Sequence, residues 1–93
     1  MTDQKDKFIQ TFKALANEER LEILKLLHQN KEMYAQTIEK HFYLEQSTTS
    51  HHLNTLRRSG IIQSRKEGRR IYYSINYQAL NGVLSVFSSF FKS

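Results

Sequence analysis

Residues 46–60 read QSTTSHHLNTLRRSG, and residues 61–76, which follow directly, read IIQSRKEGRRIYYSIN. At about 100° per residue, the first stretch winds Thr49, Leu53 and Leu56 onto one helical face, with His52 at its edge. Ser47, Ser50, His51, Asn54 and Arg58 fall on the opposite face. Arg57 and Arg58 suit a helix C-terminus, and Gly60 is placed to stop the helix. The period then changes from 3.6 to 2. Residues 61–66 and 70–75 are β-branched, aromatic and alternating, and Glu67-Gly68-Arg69 lies between them, where Gly68 supplies the positive φ of a tight hairpin. Ile71, Tyr73 and Ile75 share one face of that hairpin, and Tyr72 and Ser74 the other.

Upstream, residues 5–16 carry Phe8, Phe12, Leu15 and Ala16 on one helical stripe, with Ile9 beside it. Asn17 reads as an N-cap, and Glu18 and Glu19 occupy the first turn, where the helix dipole favours them. In the helix expected over 18–28, Leu21, Ile23, Leu24, Leu26 and Leu27 nearly encircle the axis, which predicts a central, buried element. Gln29-Asn30-Lys31 reads as a polar loop and Met33-Tyr34-Ala35 as a brief extended stretch. A short helix over 36–42 turns Ile38 and Phe42 inward. Downstream, Asn76 caps a last helix, 77–91, with Leu80, Val83, Leu84, Phe87, Phe90 and Phe91 as an apolar stripe. A small core does not hide that stripe, which predicts a subunit contact.

The expected fold is therefore mainly α with a small β-hairpin. Its order is helix, helix, short strand, short helix, polar-faced helix, hairpin (about 61–75), helix. The third and fourth helices form a helix-turn-helix and the hairpin its wing. No linker or repeat interrupts residues 1–93, so a single domain is expected.

Charge follows the same map. The chain has 14 Lys and Arg against 9 Asp and Glu, a net +5. Within residues 46–76, Arg57, Arg58, Arg65, Lys66, Arg69 and Arg70 are opposed only by Glu67, so the entire excess lies in the polar-faced helix and hairpin. A clustered basic stripe is the footprint of phosphate binding, with a solvated charged face as the bland alternative that charge alone does not exclude; the Ser, Asn, Gln and His side chains on the helix-turn-helix add groups able to read base edges of duplex DNA. The candidate recognition set is Gln46, Ser47, Thr48, Ser50, His51, Asn54 and Arg58, and the candidate wing set is Arg65, Lys66, Arg69 and Arg70.

Three segments resemble one family. LANEERLEILKLL (15–27) is similar to its second helix, STTSHHLNTLRRSGII (47–62) to its recognition helix, and RKEGRRIYYSI (65–75) to its wing. The family is the ArsR/SmtB-type winged-helix repressors of prokaryotes, and the likeness runs from about residue 10 to 76. The resemblance implies a homodimer built on the first and last helices, here through Phe8, Phe12, Leu80, Val83, Leu84, Phe87, Phe90 and Phe91. It also implies an inverted-repeat operator, relief of repression by a signal, and base or phosphate contacts from Gln46, Ser47, Ser50 and His51. There are departures. Asn17-Glu18 replaces the usual Asp-Pro, and Glu45 stands where a capping Ser is common. The third helix has no Cys, and residues 77–93 contain no Asp, Glu, His or Cys, so no family-type metal sensing and no cofactor are expected.

Other chemistries find little here. Zero Cys rules out disulfides and thiolate zinc sites. His28, His41, His51 and His52 show no i, i+4 pair, and His51 and His52 point about 100° apart. His51 is read as a DNA contact, His52 as a packing residue, and no acidic residue is placed by the sequence to orient either one; a metal site shared across a dimer is left open. No phosphate-binding glycine loop, nucleophile elbow or carboxylate pair indicates an enzyme. No apolar run nears the ~18 residues of a membrane span. MTDQKDKFIQ has no apolar signal core, making cytoplasm the default. Two alternatives remain: a winged-helix protein-interaction module, and a nonspecific architectural DNA-binding protein.

Overall fold

A computed structural model describes residues 2–92, with side-chain surroundings from Lys5 onward. The elements are α1 (Thr2–Leu15), α2 (Glu18–Asn30), β1 (Met33–Tyr34), α3 (Ala35–Phe42), α4 (Gln46–Arg58), β2 (Ile62–Glu67), β3 (Arg70–Ile75) and α5 (Tyr77–Ser89). This is the winged helix-turn-helix order expected from the sequence. The local stop and start signals act as read. The Asn17 carboxamide oxygen accepts from the Arg20 amide at 3.0 Å and that of Asn76 from the Ala79 amide at 3.1 Å, capping α2 and α5. Gly60 and Gly68 take φ of 86° and 63°, the first ending α4 and the second turning the hairpin.

The three strands form one antiparallel sheet in the order β1-β3-β2. Met33 and Tyr34 pair with Tyr73 and Tyr72, and β2 runs against β3 from the Ile62–Ile75 pair to the Glu67–Arg70 pair. The sheet packs on helices only at its inner end. Ile62 and Ile75 are buried there, while Ile71, on the same face as Ile75, is exposed near the tip. Alternation persists along the wing, but the core beneath it ends.

That core comes from α2, α3, α4 and the base of the sheet. Ile23, Leu27, Ile38, Leu53, Leu56 and Ile61 are its fully buried centre. The expectation that α2 is buried all round is corrected: Leu21 is 52% exposed. The apolar residues of α2 face α3, α4 and β3 on one side, and Leu21 lies away from that side. Two boundaries also shift. The residues read as a polar loop partly continue α2 to Asn30, and the chain reverses at Lys31 with φ of 69°. α5 ends at Ser89, so Phe90 and Phe91 lie in the turn after it.

Because Leu27 is fully buried among these side chains, Leu27→Ala should cost ~2–5 kcal/mol in urea unfolding. Asn17→Ala, which removes a cap and leaves the core intact, should cost ~1 kcal/mol. A cost at Leu27 no larger than that at Asn17 would contradict this account of the core.

Candidate nucleic-acid interface

α4 lies on the core through Thr49, His52, Leu53 and Leu56, all buried. Helical geometry then turns the opposite face outward. Gln46, Ser47, Ser50, His51, Asn54 and Arg58 are exposed; Thr48 is half-buried, between the two faces. The structure therefore brings six of the seven recognition-helix candidates onto one open surface and leaves Thr48 at its margin. Asn54 is partly engaged, accepting at Oδ1 from Arg57 Nη2 at 3.3 Å. Glu45 precedes the helix in extended conformation and makes no side-chain capping bond.

The wing candidates divide. Arg65 is not a free charge. Its Nε and Nη2 donate to both carboxylate oxygens of Glu32 at 2.8 and 2.7 Å, and its Nη1 donates to Glu67 at 2.6 Å. The same guanidinium lies over the Tyr72 ring, 4.8 Å from its centre. Arg65 anchors the wing to the segment leading into β1, which corrects its reading as a phosphate contact available on equal terms with its neighbours. The paired bonds from Arg65 hold the Glu32 carboxyl below the usual carboxylate range, and hydrogen bonds to Glu32 and then Glu67 push the guanidinium further up. Arg70 lies over the Tyr34 ring at 4.5 Å, and Tyr34 meets Tyr72 edge-on at 5.8 Å. Lys66 and Arg69 are exposed, and neither enters an ion pair among the described residues. Glu32, Tyr34 and Tyr72 were not among the site residues read from sequence. Glu32 and Arg65 are 33 positions apart, and only the β1-β3-β2 order brings them together.

His52 is a second correction. The sequence placed no acidic residue to orient it, but Glu19 Oε2 lies 2.9 Å from its Nε2, and Arg20 Nη1 lies 3.2 Å from its Nδ1. Helix α2 contacts α4 through its first turn, which periodicity within either helix does not reveal.

The candidate subunit face also divides. α1 and α5 lie together within one chain, Phe8 meeting Phe90 at 5.2 Å and Phe12 meeting Phe87 at 5.1 Å. Leu80 and Val83 are half-buried, packing on one side against the chain's own core. Leu84, Phe90 and Phe91 remain 53%, 60% and 77% exposed, and Phe87, which meets Phe91 edge-on, is exposed beside them; Ile9 on α1 and Val86 on α5 are also exposed. Ile9 and Val86 were not in the sequence-derived set.

Among the described residues, no three His, Asp or Glu side chains converge as a metal-ligand group. Nor is any helix long and apolar enough to cross a membrane. The positions at which the resembled family holds metals do not fit one: α3 offers no Cys, and α5 no Asp, Glu or His.

A family model described as "Bacterial regulatory protein, arsR family" matches residues 17–64. An uncharacterized HTH-type transcriptional regulator from Methanocaldococcus jannaschii is 43% identical over 70 residues, 75% of this chain and 79% of that protein. The transcriptional repressor SdpR of Bacillus subtilis is 39% identical over 69 residues, 74% of this chain and 76% of SdpR. Among solved structures, the chain is similar to a homodimeric winged helix-turn-helix DNA-binding domain from Mycobacterium bovis, described as a possible ArsR-family transcriptional regulator. The TM-score is 0.80 at 31% identity, covering 95% of this chain and 82% of that one.

The Glu32–Arg65 pair has a defined pH dependence. Glu32 has a lowered pKa in the folded state, so the pair stabilises the wing's attachment above the ordinary carboxylate range. That contribution is lost as pH falls through the depressed folded value. A carboxyl ¹³C titration of Glu32 should show a midpoint below that of a free glutamate, with Tyr72 ring resonances shifting in step. A midpoint at or above the free value would contradict the pairing.

Proposed function

The chain belongs to the arsR family of bacterial regulatory proteins, and from that premise we propose that it is a homodimeric transcriptional repressor that reads an inverted-repeat DNA operator. The observation that carries this reading is the open face of α4. Six polar or basic side chains project together from a helix whose other face is fixed to the core. Seryl hydroxyls, amides, an imidazole and a guanidinium are the groups that hydrogen-bond base edges and phosphates.

In this reading residues 1–93 act as one DNA-reading domain. Gln46, Ser47, Ser50, His51 and Asn54 enter the major groove, with Thr48 at its margin and Arg58 toward the backbone. Lys66 and Arg69, exposed wing cations outside any ion pair among the described residues, contact flanking phosphates, with Arg70 beside them. Arg65 holds the wing in place. The exposed apolar face of α1 and α5 is covered by the same face of a second copy, as in the two-fold contacts typical of homodimers. A two-fold axis sets the two α4 helices about 34 Å apart, one turn of the duplex or a multiple of it. The protein is not an enzyme and acts in the cytoplasm without a resident metal or cofactor. The donor sets of α3 and α5 support the last point.

Selection from randomised duplexes, followed by titration against a scrambled duplex at several salt concentrations, tests the reading. An inverted repeat should be enriched and bound far more tightly than its scramble. Salt-sensitive binding without an enriched sequence would replace it with an architectural role. Ser50→Ala or His51→Ala should cost ~1–3 kcal/mol on the operator and little on the scramble. Arg69→Ala should weaken both and reduce the salt slope by about 1. Equal losses on both duplexes for His51→Ala would count against its role in reading bases.

The assembly has its own check. Leu84 lies on the exposed patch, outside the core cluster. Leu84→Glu should keep the helical circular dichroism and sediment as a monomer, whereas an unchanged dimer mass would move the interface elsewhere.

A further inference from the structure

Beneath the open face of α4, the His52 side chain is only 8% exposed. Its two neighbours fix its chemical state. A guanidinium can only donate, so Nδ1 must accept from Arg20, 3.2 Å away. An ionised carboxylate can only accept, so the ring proton must sit on Nε2 and point to Glu19, 2.9 Å away. One neutral tautomer satisfies both bonds. Arg20 continues the chain of contacts. Its Nε donates to the Ala14 carbonyl at 2.6 Å and its Nη2 to the Lys13 carbonyl at 3.4 Å, both at the C-terminal end of α1. A single guanidinium thus ties the last turn of α1 to the underside of α4.

We propose that His52 is a positioning residue for DNA reading: as a neutral imidazole it locks α4 through Arg20 to α1, and a second proton on the ring releases that lock and lowers operator affinity. This rests on the DNA-reading function proposed above. The second proton can go only to Nδ1, where it meets an Arg20 N–H. Two donors and two positive charges then face each other across 3.2 Å, and the Arg20 bond is lost. The Glu19 bond survives, because Nε2 still donates. Both bonds add to the apolar seat of α4 in holding its angle and its relation to α1, the helix that carries part of the candidate subunit face.

The titratable and charged groups around the ring are Glu19 and Arg20 from α2 and the His51 imidazole beside it on α4, with ring centres 5.9 Å apart. From α1, the Ala14 and Lys13 carbonyls accept from Arg20, and the charged Asp6 and Lys13 side chains line the same cavity as Arg20 without bonding to the His52 ring. His51 is exposed on the outer face, so a proton gained there adds attraction to phosphate and raises affinity. A proton on His51 and a second proton on His52 therefore act on binding with opposite signs, and the variant below separates the two.

The test compares the wild-type protein with His52→Gln on the duplex selected by the wild type, between about pH 8 and about pH 5.5, where imidazoles titrate. Glutamine can accept from Arg20 with its oxygen and donate to Glu19 with its nitrogen, and it does not titrate. At the upper end both proteins should bind alike. Once about nine in ten His52 rings hold the second proton, wild-type affinity should fall about tenfold per subunit, while His52→Gln changes by less than about twofold. The same acid loss in both proteins would overturn the proposal. If His52→Gln fails to fold, the imidazole ¹⁵N spectrum of the wild type decides. Protonated Nε2 with an accepting Nδ1 near pH 8 supports the lock; the reverse tautomer, or a doubly protonated ring, overturns it. If the wild type selects no duplex, the DNA-reading function fails, and the spectrum still judges the lock independently.

Discussion

Everything the molecule presents outward follows from how α4 is seated. Thr49, His52, Leu53 and Leu56 bind one side of that helix to α2, α3 and the base of the sheet. With 3.6 residues per turn, burying these four leaves Ser47, Ser50, His51 and Asn54 no direction but outward. The apolar seat and the polar reading face are one decision made twice, once in each periodicity class. Rotating α4 to expose a different set would bring Ser50 and Asn54 into the core, where their polar groups have no partners, and place Leu53 and Leu56 in water. Apolar burial thus fixes the orientation of the recognition surface. The Glu19–His52–Arg20 contacts then narrow it further.

The wing shows how charge location and charge availability differ. The sequence places the whole basic excess in residues 46–76, and that remains true in space. Yet Arg65 is occupied by Glu32 and Glu67 and covered on one face by Tyr72. Arg70 rests over Tyr34. These rings and carboxylates stiffen a ribbon whose outer end, beyond Tyr73, leaves the core. Isolated two-stranded hairpins are marginal in water. Pairing β3 with β1 as well, and locking β2 back to Glu32, supplies the support that hydrophobic burial does not. The outermost cations, Lys66 and Arg69, are held out on that support.

What was legible in the sequence was local. Asn17 and Asn76 cap helices through bonds to residues three positions on, and Gly60 and Gly68 turn the chain at single residues. The two faces of α4 and the alternation in the hairpin are periodicities within one element. The illegible features all join distant segments. Leu21 looks like core because its neighbours are core; only the packing of α2 shows that its side of the helix faces water. Leu80 and Val83 share a stripe with Leu84 and Phe87, but the stripe is wider than a single contact, and part of it closes this chain's own core. Glu32 finds Arg65 through strand order, and Glu19 finds His52 through the crossing of α2 and α4. Both pairs are separated by 33 positions, and no spacing rule spans that distance.

The remaining asymmetry lies in α5. Its sequence is the most apolar of the helices, yet none of its residues is buried. Leu80 and Val83 lean on the core and the phenylalanines lean on α1, so one layer of the fold is covered on a single side. In a chain of 93 residues the core has little surplus to spare for an uncovered layer. In the proposed homodimer a second copy supplies the missing side. The contacts that complete this layer then also fix the distance between the two α4 helices, because α1 is joined to α4 through Arg20 and α5 follows directly from the wing strand β3. Folding stability and half-site spacing consequently depend on the same aromatic surface. On the proposed function, a change that loosens that surface acts on both together without touching the open face of α4.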